Sequence, residues 1–244
     1  MKLYRSTIGI QFNRKMFRLP SVGGLVVDQI LSGIEAESAL GAGFFTQVSY
    51  PNTGEGEYSI SLIDDKKTNT LSILPNQFVF KKADTSDGAV VTIEKAISEF
   101  KVLWKLANQV IKFPETRRIG MVGEFVREEK SKDKGALELL SSLTKLDSPE
   151  NSKKFHFTYE SRELNKNGKI ADSDTDDFIN TIYTFYLGGT DETPLPSSIF
   201  MNIDVQKYYN PAKTDATKEL NSMKSLFSEK ENEFKESMKK LGLA

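Results

Sequence analysis

Residues 90–126 combine a long amphipathic pattern, a proline and an extended run, and they constrain the fold more than any other part of the sequence. Apolar residues recur there at steps of three and four: Ile93, Ile97, Phe100, Leu103, Trp104, Ala107 and Ile111. This period predicts a helix with one apolar face, and we expect Ser86 or Asp87 to cap it. Pro114 ends the helix, because it has no amide donor and disfavours helical geometry at Phe113. Residues 117–126 then form an alternating run that predicts a strand.

The order of predicted elements occurs twice along the chain. Each half begins with a strand and a short helix, continues with several strands and ends with a long helix. Three sets of positions correspond: Ile8-Gly9 with Ile119-Gly120, Gly24 with Gly135, and Leu103-Trp104 with Leu226-Phe227. We therefore predict two pseudo-repeats, residues 1–114 and 115–244, within one compact domain. Two strand-rich halves of an ordinary α+β protein could mimic part of this correspondence.

A unit of strand, short helix, meander and long helix buries the long helix across one face of its sheet. Two such units side by side can share one curved antiparallel sheet, so we predict an α+β fold with both long helices on one face. This architecture resembles the saddle of the TATA-binding-protein class and the helix-grip folds. The resemblance concerns architecture alone, because fold does not carry function.

Composition excludes several classes of protein. Lys and Arg number 33 against 34 Asp and Glu, giving a net charge of −1, so there is no global attraction to nucleic acid or to an anionic membrane. The chain has no Cys, which removes disulfides, thiol nucleophiles and thiolate metal sites. No apolar run approaches the length of a membrane span, and no signal-peptide pattern is present. We expect a cytoplasmic bacterial protein.

Glycine-containing segments and the single histidine offer little catalytic chemistry. Residues 41–45 and 187–190 match neither a P-loop nor a dinucleotide fingerprint, so we expect turns and no cofactor. His156 alternates with Phe155 and Phe157 in a predicted strand. A catalytic triad or a His-based metal site is hard to build around one histidine.

An acidic cluster precedes one predicted strand and consists of Asp172, Asp174, Asp176 and Asp177. Alternate carboxylates are typical of a calcium loop. Here Asp177 stands where that loop needs Gly, and Tyr183 stands where it needs Glu. A solvated turn is the preferred interpretation, and a metal-dependent enzyme acting through residues 172–177 is an alternative.

Basic residues lie near the equivalent first strands of the two halves: Arg5, Arg14, Lys15, Arg18, Arg117 and Arg118. On a shared sheet they could converge, and Arg is suited to recognition of phosphate or carboxylate. They are the candidate binding residues, with a solvated sheet edge as the alternative interpretation.

Two sets of motifs resemble a sporadically distributed, uncharacterised bacterial family. The first is the long helix with a central aromatic followed by an R-I-G strand, here Arg118, Ile119 and Gly120. The second is a terminal strand containing Ile203-Asp204-Val205, followed by a helix. Glu124-Phe125 departs from the usual end of the family's middle strand. No activity is established for that family, so the resemblance implies none here.

We expect a non-enzymatic binding or scaffolding protein that recognises another protein, within a multi-gene, defence-like bacterial system as the family resemblance suggests. The C-terminal helix is a candidate surface for a partner or a second copy, because its apolar positions are near a heptad: Leu220, Met223, Phe227, Phe234, Met238 and Leu241. Nucleic-acid binding through the sheet face and the Arg-bearing rim is the second hypothesis. No membrane partner is expected.

Overall fold

A computed structural model describes residues 1–36, 40–41, 43–53, 57–84, 91–128, 135–144, 155–189 and 194–243. Its helices are α1 Leu19–Ala36, α2 Ile93–Ile111, α3 Gly135–Leu143 and α4 Ala216–Lys240. Its strands are β1 Lys2–Phe12, β2 Gln47–Ser49, β3 Asn52–Thr53, β4 Glu57–Tyr58, β5 Ile60–Ile63, β6 Asn69–Leu74, β7 Gln77–Ala83, β8 Thr116–Glu128, β9 His156–Arg162, β10 Phe178–Gly189 and β11 Pro194–Lys213. None of the helices described here is long and apolar enough to cross a membrane.

Nine of the strands form one antiparallel sheet in the order β2-β5-β6-β7-β1-β8-β11-β10-β9, and β3 pairs with β4 separately. All strands before α2 in this sheet lie on one side of the β1–β8 boundary, and all strands after it lie on the other. The predicted α+β class, built on an antiparallel sheet, is confirmed. The division into repeats 1–114 and 115–244 stays a prediction.

The pairing of β1 with β8 is symmetric about one pair of glycines. Gly9 lies opposite Gly120, while Ile8 and Ile10 lie opposite Met121 and Ile119. Gly9 and Gly120 are counterparts in the predicted duplication, so each of these two glycines faces its own equivalent. Under that prediction a pseudo-twofold axis passes through this pair.

Both long helices cover the same face of the sheet. The α2 stripe buries Phe100, Leu103 and Trp104, and the only Trp stacks on Phe113 with ring centroids 4.2 Å apart. The α4 stripe buries Leu220, Met223, Phe227, Phe234 and Met238. Lys101 of α2 donates a hydrogen bond of 2.5 Å to Asn221 of α4. The described helices and one face of the sheet together enclose a continuous apolar core.

The predicted correspondence of Trp104 with Phe227 has a structural counterpart. Trp104 packs against Phe12 of β1, with centroids 6.0 Å apart. Phe227 packs over Gly123, where an added Cβ would lie only 3.0 Å from the phenyl ring. Gly123 follows Gly120 at the same separation as Phe12 follows Gly9. Each long helix therefore places an aromatic ring over the same layer of its half of the sheet.

Several boundaries differ from the sequence expectation. The cap of α2 is Thr92, whose side-chain oxygen accepts a hydrogen bond from the Lys95 amide at 3.2 Å, so the expectation of Ser86 or Asp87 is wrong. Residues 85–90 themselves lie outside the described part of the chain. The terminal strand that contains Ile203-Asp204-Val205 is part of the long β11, which extends well beyond this motif at both ends because it pairs with β8 and β10.

Removing the α4 aromatic should test the helix–sheet layer. Phe227 is fully buried, and Phe227→Ala leaves a cavity over Gly123, so we expect a loss of about 3–5 kcal/mol in the free energy of unfolding. Leu164 is 63% exposed, and Leu164→Ala should change stability by no more than about 0.5 kcal/mol. Denaturant titration followed by Trp104 fluorescence measures both. Equal stabilities for the two variants would contradict the packing described.

Candidate functional site

The second face of the sheet, called here the open face, carries no helix within the described ranges. On β1, Ser6, Ile8, Ile10 and Phe12 are buried under the helices, and the alternate residues point the other way. Strand alternation places every second residue of each paired strand on this face. A large antiparallel sheet with one helix-covered face leaves its other face available to solvent or to a partner.

One lateral row of residues crosses the middle of the open face and is called here the central row. Strand register aligns Arg162, Asn180, Gln206, Gly120, Gly9, Val79, Ser72, Ser61 and Ser49 in it, one from each strand. Its members are small or uncharged, apart from Arg162. One flanking row is bulkier and contains Phe178, Tyr208, Arg118, Gln11, Gln77 and Leu74. The central row is lowest at Gly9 and Gly120, which have no side chains.

At this glycine pair lies a groove of about 140 Å³, called here the glycine groove. Its polar lining is Thr7, Gln11, Gln77, Arg118, Asp204 and Gln206. The groove exists because Gly9 and Gly120 have no side chains. An added Cβ would meet its nearest neighbour at 3.5 Å over Gly9 and at 3.8 Å over Gly120, which is ordinary contact. A glycine inside a strand weakens it and often marks a place where a ligand approaches closely.

Polar side chains form a connected chain along one wall of the glycine groove. Arg118 donates to the hydroxyl of Tyr208 at 3.0 Å, and that hydroxyl donates to Gln206 Oε1 at 3.1 Å. Gln206 in turn donates through Nε2 to Asp204 Oδ2 at 2.7 Å. Burial raises the pKa of Asp204, while the Gln206 hydrogen bond and the Arg118 charge partly oppose that rise. The wall thus presents a cation and a carboxylate together.

A second polar cluster lies further along the open face. The hydroxyl of Tyr186 donates to Glu124 Oε2 at 2.6 Å, and Arg5 lies 3.5 Å from Glu124 Oε1. Tyr186 also stacks on Phe200, with centroids 5.4 Å apart. Burial, followed by the Glu124 carboxylate, raises the pKa of Tyr186. The charge of Arg5 is therefore partly balanced by Glu124 on the same face.

The structure separates the six candidate basic residues. Arg5 pairs across the sheet with Glu124, whereas Arg118 pairs with Gln11, so the two arginines are about 20 Å apart along the strands at 3.4 Å per residue. Arg117 donates to the carbonyl oxygens of Tyr209 and Ser173 and holds these segments together. Only Arg118 lines the glycine groove.

The other three candidates lie in the loop after β1, called here the basic loop. Arg14, Lys15 and Arg18 are exposed there. The backbone amide of Met16 donates to the Pro75 carbonyl at 2.6 Å, and Met16 is buried. The loop therefore holds its cations on a fixed backbone. A role for the six residues in binding stays a prediction.

Two carboxylates of the acidic cluster at residues 172–177 accept hydrogen bonds from backbone amides of their own turn. The Asp172 amide donates to Asp176 Oδ2 at 2.8 Å, and the Asp174 amide donates to Asp172 Oδ1 at 2.7 Å. Asp177 pairs with Lys207 at 3.1 Å. Across the described residues, no group of three or more His, Asp and Glu side chains could hold a metal ion. His156 is exposed, with its ring centroid 6.4 Å from that of Tyr186.

Most apolar side chains of the C-terminal helix pack against its own sheet. Five of the six predicted positions are buried against the core, and Leu241 alone is 37% exposed. Lys230, which interrupts the pattern, pairs with Glu233 at 2.9 Å. Use of this helix by a partner or a second copy stays a prediction.

Sequence reasoning did not identify the glycine groove as a site. The corresponding signals were the paired Gly9 and Gly120, which served only to support the duplication, and the polar alternation of Asp204, Gln206 and Tyr208 in β11. Neither signal indicates a site until the register places β11, β8 and β1 side by side.

Comparison with known proteins adds little to this geometry. No family model matches the chain, and no curated protein matches it. Among solved structures, the di-domain ARO/CYC StfQ from the steffimycin biosynthetic pathway is 8% identical, with 92% of this chain and 93% of that chain covered, at a TM-score of 0.18. A TM-score this low carries no argument. The resemblances to a bacterial family and to the TATA-binding-protein class stay predictions.

The groove carboxylate should lower stability at neutral pH. Because burial raises the pKa of Asp204 above its ordinary value of 3.8, its protonated form stabilises the fold fully at low pH, and this contribution is lost as pH rises through the folded pKa. We expect Asp204→Asn to be more stable than the wild type at pH 7, with a difference that shrinks as the pH falls towards 4.

Denaturant titrations at several pH values measure this difference. Asp28 of α1 is exposed, and Asp28→Asn removes the same formal charge without touching the groove. A stability gain of the same size in both variants, independent of pH, would show that Asp204 carries no special cost.

Proposed function

We propose that this chain is a non-enzymatic binding protein whose open face receives a segment of another protein. The observation that carries the proposal is the glycine groove at the centre of the open face, which no helix of the described residues covers. Gly9 and Gly120 lower the stability of the sheet, although both positions have room for a side chain. A binding role explains why glycine is present there, because a larger side chain would fill the groove and exclude a ligand.

The charges on the open face favour a protein over a phosphate backbone. Arg5 is balanced by Glu124, and Arg162 pairs with Glu160 at 2.8 Å. The central row carries hydroxyl and amide groups, which suit the donors and acceptors of a polypeptide. A nucleic acid that crossed this row would meet few unpaired cations. Membership of a multi-gene, defence-like bacterial system is part of the same proposal.

Filling the groove should abolish partner binding without harming the fold. Gly120→Val adds a β-branched side chain that favours a strand, so we expect the free energy of unfolding to stay the same or rise by up to about 1 kcal/mol. We expect the host protein retained by the wild type to be lost from Gly120→Val. Quantitative mass spectrometry of tagged pull-downs from the native host measures this loss.

Gly24 provides the matched control. It is exposed on α1, and an added Cβ would have no atom within 4 Å. Gly24→Val is the same chemical change on the helix-bearing side and should retain the partner. A partner retained equally by Gly120→Val would remove the open face from the proposal.

A second candidate function is binding of single-stranded nucleic acid by the basic loop. Phe17 is 85% exposed between Lys15 and Arg18, and an exposed ring beside cations suits base stacking with phosphate contacts. Neither Arg14 nor Arg18 has a side-chain partner among the described residues.

This candidate is tested with a fluorescent 20-nucleotide single strand in anisotropy titrations at several salt concentrations. It predicts low-salt binding that weakens at least tenfold in Arg14→Glu/Arg18→Glu, with a shallower salt slope. Arg117 is unsuitable as a test position because its loss would free the carbonyls of Tyr209 and Ser173. No binding at low salt would end this candidate and leave the first untouched.

A further inference from the structure

We propose that the glycine groove recognises one neutral amide of an extended polypeptide that lies along the central row, with Asn or Gln as the inserted residue. This inference rests on the proposed function and names the chemistry of its partner. The charges and the size of the groove carry the argument.

The charges of the groove select a neutral group. Oδ2 of Asp204 accepts a hydrogen bond from Gln206, and no described residue donates to its Oδ1. This Oδ1 would lie 3.8 Å from a Cβ added at Gly120. Arg118 uses one terminal nitrogen for Tyr208 and Gln206 and has other N–H groups to donate. A ligand carboxylate would be repelled by Asp204, and a ligand cation by Arg118. A carboxamide, which presents a donor beside an acceptor, complements both.

The size of the groove selects a single side chain. Its volume of about 140 Å³ is well below the roughly 300–1,000 Å³ of sites that enclose a whole small molecule. The central row continues across the sheet on both sides of the groove, so an inserted side chain would belong to a longer ligand. An Asn or Gln side chain on a chain lying along the central row satisfies both conditions.

The strands around the groove have the width of a short extended peptide. Residues of four neighbouring strands, β7, β1, β8 and β11, line the groove. At about 4.8 Å spacing these strands span roughly 14 Å, the length of about four extended residues. A short extended segment that crosses them would therefore pass directly over Gly9 and Gly120.

Random 12-residue peptides displayed on phage, selected against the immobilised full chain, test the inference. We expect enriched sequences to share an Asn or Gln within a stretch without charged residues. A synthetic enriched peptide should bind Gly120→Val and Asp204→Ala at least tenfold more weakly than the wild type, and Gly24→Val unchanged. Replacing the shared Asn or Gln by Ala should cost a similar factor. Urea denaturation verifies that each variant is folded.

Three outcomes would overturn the inference. They are an acidic or basic consensus, enriched peptides that bind Gly120→Val as tightly as the wild type, and displacement of the peptide by nucleosides at lower concentration than by free Asn or Gln amides. If no peptide is enriched while Gly120→Val still loses its host partner, the extended-amide mode is wrong and the proposed function stands. If the host partner is also insensitive to Gly120→Val, both proposals fail.

Discussion

The antiparallel pairing of β1 with β8 joins the two halves of the molecule. Its hydrogen bonds connect a five-stranded part to a four-stranded part and so create a single sheet. Because side chains alternate along both strands, a shift of one residue in this pairing would exchange the buried and open faces of one half. Burial of Ile8, Ile10, Ile119 and Met121 under the helices fixes the register. The same register places Gly9 beside Gly120 and forms the groove.

The two faces of this sheet are governed by different physical demands. The helix face is filled with aromatic and aliphatic side chains, with both long helices anchored over the strands nearest the pseudo-twofold axis. The open face carries networks such as Tyr186–Glu124–Arg5 and Arg118–Tyr208–Gln206–Asp204. Networks of this kind keep charged groups hydrated or paired where no helix covers them. The fold thus separates stability and recognition on opposite sides of one layer.

The sequence predicted the elements that have strong local patterns. The 3.6-residue period of α2 and the proline after it placed that helix and the following strand, and the repeated order of elements predicted the duplicated sheet. The groove could not be predicted, because it depends on which strands are neighbours: Asp204 and Gly120 are far apart in sequence and meet only through the β11–β8 register. For the same reason, Arg5 and Arg118 share a face yet do not converge, and Arg117 is occupied by backbone carbonyls.

The Phe227–Gly123 contact determines which residues related sequences can carry at these two positions. In the first half, strand and helix contribute one ring each, from Phe12 and Trp104. In the second half Gly123 has no side chain, and the rings of Phe227 from the helix and Phe125 from the strand fill the space above it. The volume over position 123 is already filled, and the closest atom belongs to Phe227, so a larger residue at 123 requires a smaller one at 227. Residues aligned with Gly123 and Phe227 should therefore covary, with a larger strand residue accompanied by a smaller helix residue, and that covariation would identify the second-half layer in distant relatives.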